Sequence, residues 1–198
     1  MGFVEDPFLC FVFLLSGPRM KFNRTGMITA AALAAALPMA AHAADGTITF
    51  TGTIVSQTCT INGNGSGSKD FTVALPTVSA SALNGAGQTA GRTPFNIQLT
   101  GCSGTGNVHA YFESGATTDA GTGHLKLNAG GADQVQIGLL NDDLSPIAMG
   151  AADASQNSHA VAIATGAATL PYFAEYVATG VATAGAANSS VMYTLVYP

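Results

Sequence analysis

Charged side chains and tryptophan are scarce in this chain. Only 9% of its 198 residues are Asp, Glu, Lys or Arg, and there is no Trp. A disordered segment combines high charge with low hydrophobicity, whereas 47% of these residues are apolar. Six Lys and Arg residues against eleven Asp and Glu do not provide the basic face that nucleic acid requires. The composition therefore argues against a disordered chain and against a nucleic-acid partner.

Long apolar runs are also missing. The run at 27–38 is too short to span a bilayer comfortably. A short basic region, 20–24, precedes it, and Ala41-His42-Ala43 follows with the small-x-small pattern of a signal-peptide cleavage site. We therefore predict export, with cleavage between Ala43 and Ala44, and no membrane span in the mature chain.

The predicted presequence covers residues 1–43, of which 20–43 form the signal peptide. Residues 1–19 include two acidic residues, which are unusual at the start of a signal peptide. This stretch is interpreted either as the result of a wrongly assigned upstream translation start or as part of a long signal peptide. Both interpretations give the same mature chain.

Cysteine is rare as well, with three residues in the whole chain. Cys10 is removed with the presequence, which leaves Cys59 and Cys102. A pair of cysteines in an exported protein is typical of one disulfide, and a separation of 43 residues is too wide for a C-x-x-C redox motif. On the chain-entropy account, closing this loop stabilises the fold by about 4 kcal/mol.

Residues that could carry catalysis or hold a metal are few and scattered. His109, His124 and His159 have no second His, Cys or acid at metal-ligand spacing. Asp142 and Asp143 are neighbours in sequence, which predicts a loop with carboxylates pointing in different directions. No G-x-S-x-G motif occurs. We therefore predict no catalytic residue, no metal site, no cofactor and no enzymatic activity.

What the chain does have is glycine and short apolar runs. Its 24 glycines lie largely in Gly/Asn clusters that separate runs rich in Ile, Val, Thr and Phe. Short strands at fairly regular spacing between such turns are typical of an all-β sandwich or barrel. No segment of helical period follows residue 44. The predicted strand runs are 47–61, 71–75, 94–100, 108–112, 135–140, 160–163, 172–177 and 191–197.

Both ends of the mature chain alternate between apolar and polar residues. At the start, one face of an extended segment carries Gly46, Ile48, Phe50, Gly52 and Ile54, and threonines fill most of the other. The first explanation is that this segment pairs inside its own closed sandwich. The second is that each subunit lacks a strand and receives one from its neighbour, which is β-strand addition.

The final run shows the same alternation. Val191, Tyr193, Leu195 and Tyr197 share one face, and no Lys or Pro lies within the run to protect a free edge. An unprotected last strand requires a partner, and patterning alone leaves both explanations open.

Several segments resemble those of a known family. The start, 44–54 (A-D-G-T-I-T-F-T-G-T-I), is similar to the donor extensions of type 1 fimbrial subunits. The segment 95–102 (F-N-I-Q-L-T-G-C) resembles the one that carries their second cysteine, and 176–188 resembles the stretch before their last strand. Tyr197 is penultimate and Gly185 is fourteenth from the end, as in the family's C-terminal signature. The mature chain thus resembles a chaperone–usher pilin of the type 1 fimbrial family.

The resemblance implies a fold and a function. The fold is an all-β, incomplete immunoglobulin-like sandwich that lacks its seventh strand and is completed by a donor strand from another chain. Residues 44–55 would be the N-terminal donor-strand extension and 56–198 the pilin domain. The function would be that of a structural fimbrial (pilus) subunit that polymerises by donor-strand exchange and supports cell adhesion. The alternative is a secreted β-sandwich binding module or adhesin with its own ligand site.

Partners and location follow from the same resemblance. The expected partners are a periplasmic pilus chaperone, an outer-membrane usher and neighbouring pilin subunits. The expected location is the cell-surface fimbrium, reached through the periplasm. The extension begins only a few residues before its apolar alternation, which leaves a major or a minor subunit open.

Residue roles are implied too. Cys59 and Cys102 match the family disulfide. The donor positions are Gly46, Ile48, Phe50, Gly52 and Ile54, and the chaperone and acceptor strand is represented by Gly185, Val191, Tyr193, Leu195 and Tyr197. One departure is that the chain ends in Pro198, whose nitrogen carries no hydrogen for a strand ladder.

Overall fold

Ten β-strands form most of the regular structure in a computed structural model of the protein, which describes residues 47–54, 56 and 58–198. The chain divides into two units at Phe50, and the strands of the described residues all lie in the second unit, Thr51–Pro198. The all-β prediction is confirmed. The strands are β1 (Thr60–Gly63), β2 (Thr89–Thr100), β3 (Gly106–Phe112), β4 (Thr118–Asp119), β5 (His124–Lys126), β6 (Val135–Asn141), β7 (Pro146–Ile147), β8 (Val161–Ile163), β9 (Ala168–Ala178) and β10 (Tyr193–Val196).

Helical structure is confined to single turns in the described part of the chain. Ala80–Leu83 is a 3₁₀ turn and α1 spans Asp153–Gln156. The 3₁₀ turn begins after Ser79, whose side chain accepts a hydrogen bond from the Ser81 amide, the usual way to satisfy a free amide at a helix start. None of the helices in the described residues has the length and apolar character needed to cross a membrane.

The strands form two antiparallel sheets. The larger has the order β1-β2-β9-β6-β5-β4, with β7 attached to β6. The smaller has the order β10-β3-β8. The last strand of the chain is therefore an edge strand, and β3 is its hydrogen-bonding partner.

One apolar core contains inward-facing residues of both sheets. Period-2 alternation turns every second residue of β3 and of the second half of β2 toward this core, as expected for strands with one buried face. Ile97 of β2 lies opposite Leu170 of β9, and neither is exposed to solvent. The core residues of β2 and β3 are Phe95, Ile97, Leu99, Val108, Ala110 and Phe112.

Side chains complete the second edge of β3. On this edge, β8 pairs only with residues 106–108 of β3. Further along the same edge, the Ala110 amide donates to the Tyr172 hydroxyl oxygen at 3.3 Å. The Phe112 amide donates to Gln156 Oε1 at 2.6 Å, and the Gln156 side-chain amide donates back to the Phe112 carbonyl at 2.9 Å. These groups satisfy buried backbone atoms that would otherwise have no strand beside them.

One predicted strand is wrong, and a second is formed only at its end. The run at 71–75 forms no strand, although Phe71, Val73 and Leu75 are half-buried and alternate with exposed residues. In the run at 47–61, the described residues before Thr60 form no strand. In both cases the apolar pattern is present, but the described residues include no neighbouring strand to make the ladder.

Candidate functional site

An open apolar groove of about 860 Å³ follows the free edge of β10. One group of lining residues comes from β10 and the residues just before and after it, and a second comes from 58–61 and 69–73. The third group consists of core residues contributed by both sheets: Phe95, Ile97, Phe112, Leu125, Ile137, Leu139 and Ala174. The groove thus gives direct access from solvent to the hydrophobic core.

The β10 side of the groove carries the alternation predicted from sequence. Val191, Tyr193, Leu195 and Tyr197 are half-buried and pack against the core, whereas Met192 is 70% exposed. β10 pairs with β3 along one edge, and no strand of the described residues pairs with the other. The groove therefore contains inward-facing apolar side chains next to unpaired backbone.

The opposite side of the groove is the irregular segment 69–75. Its inward residues, Phe71, Val73 and Leu75, pack against the core without belonging to a strand. Phe71 lies directly over Gly63 of β1, where an added Cβ would overlap the aromatic ring. No strand of the described residues pairs with this segment, which is therefore a second open edge on the other side of the same groove.

Two tyrosines, Tyr193 in β10 and Tyr197 just after it, contact residues across the groove. The Tyr193 hydroxyl donates to the Lys69 carbonyl at 2.8 Å, and the Tyr193 and Phe71 rings lie edge to face with centroids 6.2 Å apart. The Tyr197 hydroxyl lies 3.7 Å from Cys59 Sγ. Burial raises the pKa of both hydroxyls, and the negative charge of Asp70 adds to the increase in the pKa of Tyr193. Both hydroxyls are therefore protonated donors at neutral pH.

The Cys59–Cys102 disulfide is formed, as predicted. It joins the residue before β1 to the loop after β2, where the Ser103 amide donates to the Thr58 carbonyl at 3.0 Å and the Cys102 amide to the Gly166 carbonyl at 2.9 Å. Since Cys59 also lines the groove, the disulfide fixes one end of the groove wall.

Gly185, which the resemblance associates with the acceptor strand, lies outside β10. It belongs to the loop before β10 and does not line the groove. An added Cβ at Gly185 would lie 2.7 Å from the Ala132 nitrogen, and the Ala132 amide donates to the Ala186 carbonyl at 2.8 Å. This glycine is needed because two backbone segments approach closely.

The predicted donor segment is exposed where the structure describes it. The large apolar side chains of Ile48, Phe50 and Ile54 are 79%, 89% and 100% exposed, and Gly52 has open space where a Cβ would be. Gly46 and the predicted cleavage residues Ala43 and Ala44 lie outside the described residues.

Among the described residues, two polar contacts join side chains that are distant in sequence. Asp142, Asp143 and His159 bring ligand atoms within 4.8 Å of one another, and all three are exposed. Hydrogen bonds from Ser145 hold the pKa of Asp143 below its ordinary value. Similarly, His109 Nε2 lies 2.7 Å from Asp153 Oδ1. The partners are distant in sequence, so a search for local ligand spacing does not find them.

Comparison with known proteins gives concordant matches. Residues 75–198 match the family model described as FimA, type-1 fimbrial protein A. The chain is 53% identical over 169 residues to the major fimbrial subunit SMF-1 of Stenotrophomonas maltophilia (strain K279a), covering 82% of this chain and 98% of that one. It is 49% identical over 172 residues to the F17 fimbrial protein of Escherichia coli, covering 83% and 94%. The P pilus rod subunit PapA superposes with a TM-score of 0.55 at 20% identity, covering 71% and 99%, which is a likeness of fold.

Proposed function

The chain belongs to the type-1 fimbrial protein family, and we propose that residues 46–54 of one copy occupy the groove beside β10 of the next. The protein is a structural pilus subunit with an incomplete immunoglobulin-like fold. The observation that carries the proposal is an edge strand beside an open apolar groove, in a chain that also exposes three large apolar side chains in alternation.

The donor segment and the groove have matching periodicity. A strand in the groove places every second side chain against the core and the others toward solvent. In residues 46–54 the inward set is Gly46, Ile48, Phe50, Gly52 and Ile54, and Thr51 belongs to the outward set. Burying three exposed side chains, those of Ile48, Phe50 and Ile54, contributes about 1.5–3 kcal/mol each.

Backbone pairing also supports the donor strand as the occupant of the groove. An inserted strand lies between β10 and segment 69–75, so both unpaired edges gain a hydrogen-bonding neighbour. The two sheets then form a closed sandwich in which one strand belongs to another molecule. A glycine such as Gly52 allows close backbone approach where the groove is narrow.

Export requires that the groove be protected before assembly. We propose that a periplasmic chaperone first supplies a strand beside β10, with Val191, Tyr193, Leu195 and Tyr197 as its contact residues. At an outer-membrane usher, the extension of the next subunit then replaces that strand. The fimbria lies on the cell surface and supports adhesion. The family is structural, and we expect no catalytic activity.

A pair of neighbouring substitutions tests the donor assignment. Phe50→Asp places a charge on the inward face of the donor strand and is expected to abolish incorporation into fimbriae. Thr51→Asp places the same charge on the outward face and is expected to leave incorporation nearly intact. Fimbriae are purified from cells that express each variant, and subunits are quantified. Equal incorporation of both variants would contradict the proposed orientation.

A further inference from the structure

We propose that Tyr193 is a latch that holds the unoccupied groove partly closed and slows the entry of a strand. The inference rests on the proposed function of the groove, but it concerns a different property, the rate of entry. Its basis is that Tyr193 extends from β10 to the opposite side of the groove and is held there by two contacts.

The hydrogen bond is the first contact. The Tyr193 hydroxyl donates to the Lys69 carbonyl at 2.8 Å, although the two residues are 124 positions apart in sequence. Lys69 begins the irregular segment on the side of the groove opposite β10. A bond between the two sides limits how far they can separate.

The aromatic contact is the second. The Tyr193 ring meets the Phe71 ring edge to face, and Phe71 lies against the backbone of β1 at Gly63. Phe71 has little freedom to retreat on that side, because the β1 backbone lies there. The Tyr193 ring therefore rests against a fixed surface.

An entering strand competes with these contacts. Neighbouring strands lie about 4.7–4.9 Å apart, so a strand paired on both sides holds β10 and segment 69–75 about 10 Å apart. Tyr193 is on the inward face of β10, where the inward side chains of that strand must also fit. Entry therefore requires the hydroxyl to leave Lys69 and the ring to move.

Tyr197 forms a weaker second contact of the same kind. Its hydroxyl lies 3.7 Å from Cys59 Sγ, and a sulfur atom is a poor hydrogen-bond acceptor. The latch is therefore assigned to Tyr193. Removal of the Tyr197 hydroxyl is expected to increase the rate of strand entry less than removal of the Tyr193 hydroxyl does.

The test compares two tyrosine-to-phenylalanine variants of the purified protein. Tyr193→Phe keeps the ring and removes the hydrogen bond. Tyr111→Phe is the matched control, because Tyr111 is a half-buried tyrosine of β3 that is directly opposite Thr194 on the outward face. A fluorescent peptide with the sequence of residues 44–56 is mixed with each protein, and the association and dissociation rates are measured.

The expected result is a faster association with Tyr193→Phe, by about two- to tenfold, which corresponds to the net strength of one hydrogen bond. Dissociation is expected to be unchanged, and Tyr111→Phe is expected to match the unsubstituted protein. Peptide binding with the same association rate in all three proteins would overturn the latch and leave the proposed function intact.

A measurement without peptide separates the two claims. The dye ANS, which binds exposed apolar surface, reports on the unoccupied groove. Tyr193→Phe is expected to bind more dye than Tyr111→Phe, and equal dye binding would overturn the latch. Failure of the peptide to bind any of the proteins would instead count against the proposed function, whatever the dye result.

Discussion

Gln156 in α1 makes two hydrogen bonds to the backbone of Phe112 in β3, one to its amide and one to its carbonyl. The glutamine side chain is fully buried, and it occupies the place of a neighbouring strand. One edge of the small sheet is thereby completed within the subunit, and the other, at β10, remains available to a second chain.

Replacing Gln156 tests the internal edge. Gln156→Leu leaves a buried amide and a buried carbonyl without partners, at about 1–3 kcal/mol each, so the free energy of unfolding should fall by about 2–6 kcal/mol. Urea denaturation measures this change. Gln98→Leu serves as the control, since Gln98 is half-buried and accepts only a long 3.4 Å hydrogen bond from Asn62. Equal losses in the two variants would show that the Phe112 contacts are unimportant.

Replacing Gly185 tests whether this residue contributes to stability rather than to peptide binding, because its contacts are with the Ala132 backbone and not with the groove. In Gly185→Ala, the new Cβ would lie 2.7 Å from the Ala132 nitrogen, so the two segments must separate. We expect a loss of about 1–3 kcal/mol in unfolding free energy, typical of overpacking. The affinity of the stable fraction for donor peptide should be unchanged.

The matched control for that substitution is Gly115→Ala. Gly115 has no atom within 4 Å of an added Cβ and has no positive φ, so its replacement should be nearly neutral. A Gly185→Ala protein with normal stability and impaired peptide binding would contradict this expectation, and it would support a role of Gly185 in binding the donor strand.

Alkaline pH should destabilise the protein through its buried tyrosines. Burial is the first cause that raises the pKa of Tyr172, and burial also raises the pKa of Tyr176, Tyr193 and Tyr197. Above about pH 10, the unfolded chain loses tyrosine protons that the folded chain retains. Proton loss then favours unfolding, so stability is fully present below about pH 10 and decreases as pH rises further.

Urea midpoints measured across this range test the effect, with Tyr172→Phe as the diagnostic variant. Removing the most deeply buried of these hydroxyls should make the decline above about pH 10 shallower. The variant also leaves the Ala110 amide without its acceptor, which lowers stability by an amount that does not depend on pH. If the urea midpoint of the variant falls with pH as steeply as that of the unsubstituted protein, Tyr172 does not contribute to the pH dependence.

Period-2 patterning predicted which side chains face the core, because in an extended chain the facing depends only on alternation. Val191, Tyr193, Leu195 and Tyr197 all face inward as predicted. The same pattern did not predict pairing, which depends on the neighbouring strand. For this reason 71–75 and 47–54 have the composition of strands but form none.

Other features depend on contacts that are distant in sequence. β4, β5 and β7 are two or three residues long, and their pairing is set by the chain around them rather than by their composition. The contact of Tyr193 with Lys69 and that of His159 with Asp142 join segments that no local pattern connects. The sequence could thus predict which residues of the last strand are apolar and face the core. It could not predict the contacts that those residues make across the groove.

The central claim is that the groove receives the extension of another subunit. The most direct measurement is thermal unfolding of the predicted mature chain, residues 44–198, refolded with its disulfide, in the presence of excess peptide 44–56. Because a ligand that binds only the folded state raises its stability, we expect a large increase in Tm that grows with peptide concentration. The same peptide with Phe50→Asp should give almost none. A monomer that is already stable and shows no shift with either peptide would contradict the account, since its sandwich would be complete without a donor strand.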